Sequence, residues 1–396
     1  MKELLTQREL LQRVPQIGYL APTGTFTEMA ARAVEQSAGR PLELIGISKI
    51  SEIYRLVSDG TLPWGIAPLE NFDDGHVIDS VISIVQTPNL YIYGEVIIPI
   101  EHHLYCHDPS KVKIIASKGT AIEQCRVFLD KTFPGWEKKA VDSTTAGILL
   151  AAEKEEYAGI GSAIAGASLK LPDDFRKYGG IQDNPNNATR FILFSHVKKD
   201  LERTGNDKTA LQLDLPDVPG SLYRTLEIFY RSGINLSEIK SAPKMDGAVP
   251  FLITVDGHMQ DTALQAVLGE LNYFSEVRTL GSYPRYLYEQ KALAKPVEIS
   301  YIAEKLKLKM LENKTPTGHE TIVVYTLQDR SGALHDSLSP FASRNINLTQ
   351  IDSLPTGIAG QYAFYLGFQN DLAPKDKEAV ITELKAQATQ LTSFAA

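Results

Sequence analysis

Twelve residues between Leu215 and Pro243 recur between Leu327 and Pro355 at one constant offset of 112 positions, with no gap. Leu215, Asp217, Gly220, Leu222, Leu226 and Phe229 match Leu327, Asp329, Gly332, Leu334, Leu338 and Phe341. Ile234, Asn235, Leu236, Ile239, Ser241 and Pro243 match Ile346, Asn347, Leu348, Ile351, Ser353 and Pro355. An ungapped register of that length means that one structural unit is present twice. In the first copy Lys208–Pro216 alternates as a strand, Ser221 to about Ser232 reads as a helix, and Asn235–Ser241 as a second strand. Phe251–Val255 and Ala363–Gly367 supply a further strand to each copy. Two small α+β domains are therefore expected, over 206–285 and 319–396. Between them, 286–318 holds a charged helical stretch around Ile302–Leu311 that reads as a connector.

The rest of the chain has a different style. Ile17–Leu20 reads as a strand, Ala21-Pro22-Thr23-Gly24 as a turn, and Thr25-Phe26-Thr27-Glu28 as the start of a helix. The alternation recurs from Trp64–Leu69 through Glu70 and Asn71 to a helix over Val77–Val85. It recurs again from Val112–Ala116 through Ser117-Lys118-Gly119-Thr120 to a helix passing Cys125 and Leu129. Ala158–Gly161 leads through Ser162 to a last helix reaching Leu169. Repeated strand-turn-helix units argue for an α/β domain with a largely parallel sheet, in which a ligand sits outside the carboxyl ends of the strands. Thr25, Glu70, Asn71, Ser117 and Thr189 fall at such ends. The turn before Thr25 would make an anion cradle at a helix N-terminus, although a plain capped helix uses the same residues.

Asp183-Asn184-Pro185-Asn186-Asn187-Ala188-Thr189-Arg190-Phe191 is the densest motif. Its first half is turn chemistry, and Thr-Arg-Phe then enters the apolar strand Ile192-Leu193-Phe194. A hydroxyl and a guanidinium held on such an elbow suit a small carboxylate. A capped loop with a surface ion pair would use the same residues.

At 396 residues the chain favours two or three domains, and 43% hydrophobic and 22% charged residues are ordinary for a globular protein. The net charge of −8 makes nucleic acid an unsuitable partner. No run reaches the ~18–20 apolar residues of a membrane span. Cys106 and Cys125 are too few for a disulfide framework and lack zinc spacing, so buried thiols in a reducing, cytoplasmic compartment are expected. Residues 1–15 read as a short amphipathic helix with Leu4, Leu5 and Leu11 on one face.

Gly18-Tyr19-Leu20-Ala21-Pro22-Thr23-Gly24-Thr25-Phe26-Thr27-Glu28, Pro68-Leu69-Glu70-Asn71, Gln124-Cys125 and the 183–191 motif together resemble the signatures of the prephenate dehydratase family, in the expected order. Asp217-Val218-Pro219-Gly220-Ser221-Leu222 and Gly233-Ile234-Asn235-Leu236 resemble the regulatory ACT domain that follows that family's catalytic domain. The resemblance implies a two-lobed, periplasmic-binding-protein-like α/β catalytic domain over 16–200 with its site between the lobes, then α+β ferredoxin-like ACT domains. It implies conversion of prephenate to phenylpyruvate without metal or cofactor, in phenylalanine biosynthesis. Thr189 corresponds to the threonine that assists loss of the ring hydroxyl. Glu70, Asn71, Ser117 and Gln124 fall at polar pocket positions, and Thr25, Arg190 and Phe191 at substrate-binding ones, while Lys118, itself a departure, adds a substrate-binding cation or is simply solvated. Gly220, Ser221, Leu222, Asn235 and Ser241, with Gly332, Ala333, Leu334 and Asn347 in the second copy, fall where an amino-acid effector such as phenylalanine would bind. The family's habit implies a homodimer or homotetramer. With about fifteen residues before the first strand, no helical chorismate mutase domain is expected.

The chain departs from the family in places. Asn71 is followed by Phe72-Asp73-Asp74-Gly75-His76 rather than Ser and a Glu-Gly-Ser turn, and Ser117-Lys118-Gly119 replaces Ser-His-Pro. Lys240-Ser241-Ala242-Pro243 and Asp352-Ser353-Leu354-Pro355 stand where Glu-Ser-Arg-Pro is usual. Two other readings stay open, a prephenate decarboxylase and a silent amino-acid sensor. His102 and His103 read as structural histidines, His76 as a group within reach of the site, and Tyr283 and Tyr288 as packing aromatics. The tandem copies are expected either to pair within one chain or to leave the second as a structural addition.

Overall fold

The computed structural model describes residues 4–169, 171–172, 174–245, 247–285, 288–289, 320–356, 361–369 and 372–395. The connector expected around Ile302–Leu311 lies outside them. The first lobe is built on a seven-stranded sheet. Its path runs Tyr288–Glu289, Tyr91–Pro99, Ala188–Ser195, Gly65–Asn71, Gln16–Leu20 and Glu43–Ile47, with Gly75–His76 hairpinned onto Gly65–Asn71. The second lobe is a five-stranded sheet ordered Arg176–Gly179, His103–Cys106, Tyr157–Gly161, Ile114–Ser117 and Glu137–Ala140. The chain leaves the first lobe after Pro99 and returns at Ala188, so the site motifs sit at the crossings.

Both sheets are mixed rather than largely parallel. Ala188–Ser195 runs antiparallel to both neighbours, and His103–Cys106 to both of its own. Thr189 therefore opens its strand instead of closing it. The antiparallel register brings that opening beside the carboxyl end of Gly65–Asn71, pairing Thr189 with Asn71. Some helices start on a side-chain cap, whereas others, such as Ile50–Ser58 and Ile78–Gln86, have none. Thr25, Ser143 and Ser162 each accept a first-turn backbone N–H. Helix Thr144–Glu153 lies directly on the second sheet because Gly147 and Gly159 leave room. A Cβ on Gly147 would stand 2.2 Å from the Ala116 carbonyl oxygen.

The N-terminal segment differs from the single helix expected. Leu4–Leu5 is a strand paired in parallel with Asp200–Leu201, and the helix spans only Gln7–Gln12. Thr6 and Glu9 form a capping box that fixes its start. Leu10 and Leu11 are buried, and Leu4 is exposed.

The two repeats join into one eight-stranded sheet. Its order is Glu276–Pro284, Asp207–Pro216, Ala248–Asp256, Leu236–Ser241, then Leu348–Pro355, Gln361–Gln369, Glu320–Gln328 and Gln390–Ala395. Each half has the ferredoxin-like order, and the second helix of each, Thr262–Leu271 and Pro374–Gln387, escaped the sequence reading. The four described helices of the repeats, Ser221–Arg231, Thr262–Leu271, Ala333–Ala342 and Pro374–Gln387, share one core with the sheet face bearing Leu211, Ile239, Ile253, Tyr325, Ile351 and Leu366. The opposite face contributes Ala210, Leu252, Leu280 and Tyr283 to the core of the first lobe. The halves meet about a pseudo-two-fold. Asn235 Nδ2 donates to Asp329 (2.8 Å), and its repeat equivalent Asn347 donates to Asp217 (2.8 Å).

Candidate active site

Residues 70, 71, 189 and 190 are paired in register, Glu70 with Arg190 and Asn71 with Thr189. Successive residues of a strand point to opposite faces. The ladder therefore separates what the sequence motif places together. Asn71 and Thr189 share one face, and Glu70 and Arg190 share the other.

On the first face, Asn71 Oδ1 accepts the backbone N–H groups of Asp73 (2.9 Å) and Asp74 (3.0 Å). Those two bonds fix the amide's orientation and leave Nδ2 to donate to Thr189 Oγ1 at 2.9 Å. A hydroxyl has one proton and two acceptor positions. With one acceptor position filled by Asn71, the Thr189 proton is directed away from Asn71. Thr189 is only 7% exposed, so that proton acts in a sheltered place.

Gln124 reaches the same hairpin. Its Nε2 donates to Asp74 Oδ2 (2.7 Å), and its Oε1 meets His102 Nε2 (2.9 Å). Burial, partly offset by that bond, holds His102 below the ordinary imidazole range. Asn184 from the 183–191 motif donates to Asp73 (2.6 Å). The deviant turn after Asn71 is thus a junction between Thr189, Gln124 and Asn184. Asp73, Asp74 and Asn184 were not singled out from sequence, although their unusual or motif positions were visible.

The other expected residues are placed differently. Ser117 is fully buried, its hydroxyl donating to the Ile160 carbonyl (2.8 Å). Lys118 is exposed at the start of the short helix Gly119–Glu123. Thr25 Oγ1 donates to the Leu20 carbonyl (3.1 Å) and accepts from Glu28 N (3.3 Å). The nearby Gly24 N–H is taken by the buried Glu28 carboxylate (2.6 Å), so the anion in this cradle is the chain's own. Phe191 is 1% exposed within the first-lobe core. Cys106 and Cys125 are buried and form no disulfide, and burial pushes the Cys106 thiol up to about 11. Among the described residues, no group of three or more His, Cys, Asp or Glu side chains is arranged to hold a metal. Nor is any described helix long and apolar enough to cross a membrane.

The Glu70 and Arg190 face meets the sheet of the repeats. Arg190 donates to Glu70 (2.6 Å) and to Glu238, and lies 3.6 Å from Glu95. Lys208 bridges Glu95 and Glu238, each at 3.2 Å. Lys240 donates to the second oxygen of Glu70 (2.9 Å). Three cations and three carboxylates thus balance, all buried. Tyr283, expected only to pack, donates its hydroxyl to Glu95 (3.0 Å). Burial opposes ionisation of Glu70, but Lys240 and Arg190 outweigh it and hold its pKa below the ordinary value. Lys208 and Arg190 do the same for Glu95. The Arg190 fork is therefore occupied by protein carboxylates.

The residues expected to be regulatory gather where the repeats meet. Gly220, Ser221, Leu222, Ser241 and Asn347 line a cleft that continues over Tyr223, Leu338, Phe341 and Ala342. Ser221 Oγ is buried with no hydrogen-bond partner among the described residues. The pseudo-symmetric position, at Gly332, Ala333, Leu334 and Asn235, is filled. Tyr230 stands where the cleft has Ala342, and a Cβ on Gly332 would lie 2.3 Å from its ring. His335, the equivalent of Tyr223, stacks on both Tyr223 (4.4 Å) and Tyr230 (5.2 Å).

Comparison with known proteins bears on this arrangement. The family model described as prephenate dehydratase matches residues 17–199. The chain is 32% identical over 294 residues to the bifunctional chorismate mutase/prephenate dehydratase of Aquifex aeolicus, covering 73% of this chain and 79% of that protein. It is 30% identical over 272 residues to the prephenate dehydratase of Methanocaldococcus jannaschii, covering 67% and 97%. Among solved structures, prephenate dehydratase from Arthrobacter aurescens in complex with L-Phe superposes with a TM-score of 0.63 at 29% identity, covering 75% of this chain and 99% of that one.

Proposed function

The chain belongs to the prephenate dehydratase family, and on that premise we propose that its reaction is run by the Thr189 hydroxyl oriented by Asn71. Prephenate is converted to phenylpyruvate, CO2 and water. The bond from the ring to its carboxylate breaks, and its electron pair enters the ring. The carbon–oxygen bond at the opposite ring position breaks, and the departing hydroxide takes up a proton. Aromatisation drives the step, so the protein's task is positioning and stabilisation of the leaving oxygen. Thr189 donates a hydrogen bond to that oxygen, because Asn71 occupies one of its acceptor positions and so steers the proton outward. Gln124, held between His102 and Asp74, shapes the same wall. Ser117 and Thr25 serve by fixing the strand end and helix start that frame it. Lys118, exposed beside them, attracts the dianionic substrate. Glu70 and Arg190 act from the far face of the ladder, keeping residues 71 and 189 in register.

The repeats are read as two ACT domains paired within one chain, with boundaries near 206–285 and 319–396. The cleft between them suits an amino acid such as phenylalanine. Asp217 and Asn347 stand at its polar end, Ser221 offers an unengaged hydroxyl, and Leu338 and Phe341 form an apolar wall. The relative from Arthrobacter aurescens was solved with L-Phe, which supports that choice. A cytoplasmic homodimer or homotetramer completes the reading, to be checked by light scattering.

The Asn71–Thr189 hydrogen bond carries this proposal. Purified protein is incubated with prephenate at neutral pH and phenylpyruvate is read by its enolate absorbance in alkali, beside Thr189→Ala. Losing one such donor costs on the order of 10²–10³ in rate. Prephenate consumed without phenylpyruvate would indicate decarboxylation instead.

A further inference from the structure

The hairpin at residues 70–76 is held from both repeats at once. Within it, Glu70 is paired across the strands with His76, and Asn71 with Gly75. At the seam between the repeats, Lys240 is paired across the strands with Asp352. These two cross-strand pairs face each other. Lys240 Nζ donates to Glu70 Oε1 (2.9 Å), and His76 Nδ1 lies 3.3 Å from Asp352 Oδ2. The space beside Gly75 is closed by Leu354, 3.4 Å from where a Cβ would stand.

Lys240 and Asp352 are the same position in the two repeats, 112 residues apart, yet they carry opposite charge. The hairpin presents a carboxylate to the lysine and an imidazole to the aspartate. Turning the repeats about their pseudo-two-fold would set Asp352 against Glu70, and like charges directly opposite are destabilising. The charge difference thus fixes one docking orientation. The seam is held symmetrically around the pair: Ile239 N donates to Ser353 Oγ and Ile351 N to Ser241 Oγ, each at 3.0 Å. Distal to the seam, the same hairpin carries Asn71 on Thr189 and Asp74 on Gln124.

We propose that Lys240 and Asp352 are positioning residues for the reaction: by clamping the 70–76 hairpin from the two repeats, they set the Asn71–Thr189 geometry. The consequence for turnover rests on the dehydratase reading, whereas the clamp itself does not. A small displacement of a catalytic group can cost up to about 10²-fold in rate. Lys240→Met and Asp352→Asn are therefore expected to lower kcat by roughly 10–100-fold with KM changed less than about twofold. Lys240→Arg, which keeps the charge, restores most of the rate.

The test uses the full chain and two readouts. The first is kcat and KM for phenylpyruvate formation. The second is deuterium exchange of the amides at Phe72, Asp73 and Asp74, which needs no activity. Those amides should exchange at least about tenfold faster in Lys240→Met and in Asp352→Asn, while the strand Gln16–Leu20 stays protected. Asp352→Asn, nearly isosteric, remains decisive if Lys240→Met fails to fold. Wild-type kcat in a folded variant, or unchanged exchange of the hairpin, would overturn the proposal. A wild type that makes no phenylpyruvate would refute the activity alone, and the exchange measurement would still decide the clamp.

Discussion

Arg190 is the residue at which a substrate-binding role and an internal structural role predict different measurements. Its two terminal nitrogens serve Glu70 and Glu238, with Glu95 close by. Arg190→Lys keeps the charge but cannot span both carboxylates, so one charged hydrogen bond is lost, about 1.5–3 kcal/mol. Arg190→Met leaves Lys208 and Lys240 facing three buried carboxylates, and breaking a buried ion pair in this way costs about 3–5 kcal/mol. Thermal unfolding of Arg190→Lys should therefore fall by roughly 3–10 °C, with a larger fall for Arg190→Met. KM for prephenate should move less than about threefold in Arg190→Lys, because the lost bond is to the protein. Had the guanidinium gripped a substrate carboxylate, the same 1.5–3 kcal/mol would raise KM by about 10–150-fold and leave the midpoint unchanged. That pair of results would refute the assignment of Arg190 to the internal cluster.

Asn71→Asp keeps the acceptor for the Asp73 and Asp74 amides but turns the donor facing Thr189 into an acceptor. The Thr189 proton then points at the new carboxylate, and kcat should drop by about 10²–10³ in steady-state assays with KM little changed. Calorimetric titration with phenylalanine should give one site per chain, because Tyr230 and His335 fill the second position. Tyr230→Ala should raise the count toward two, and two sites in the wild type would contradict this. Glu70 and Glu95 are held below the ordinary glutamate value of 4.5, so the folded state binds fewer protons than the unfolded one. Their stabilisation is complete above that pH and is lost as the pH falls through the depressed values. Thermal midpoints recorded from pH 6 down to pH 3 should drop steeply in the acid range, and Glu70→Gln should flatten that drop.

The fold was legible wherever a local rule governed it. The constant offset gave the repeats, and strand-turn-helix punctuation gave four strands and the helices after them, but not Glu43–Ile47, Ile50–Ser58, Tyr91–Pro99 or Thr144–Glu153. Thr25, capping its helix, and the strand Ala188–Ser195 follow from short-range pattern alone. What escaped depends on strand direction and on partners distant in sequence. Thr189 was grouped with strand carboxyl ends because parallel alternation was assumed, although its own motif enters a strand; the antiparallel return puts that opening beside the carboxyl end of Gly65–Asn71. Glu70 and Asn71, or Thr189 and Arg190, are neighbours in sequence and opposites in space, so one motif serves two faces. Lys208, Glu238 and Lys240 look like polar residues of half-exposed strands. Only the apposition of the repeat sheet on the first lobe makes them buried. Tyr283 became a hydrogen-bond donor for the same reason.

The tandem arrangement of the repeats has a consequence for how this protein can change. Two identical chains that meet about a true two-fold present the same patch twice, so every substitution at the contact is made twice over. Joining both halves in one polypeptide lifts that constraint. Position 240 can be lysine while position 352 is aspartate, and Ala342 can leave a cleft open while Tyr230 closes its counterpart. Linkage also makes the encounter of the halves intramolecular, so their association does not weaken on dilution as a bimolecular contact would. Sensitivity to an effector bound between them would then be a property of each molecule, independent of how much of the protein a cell contains.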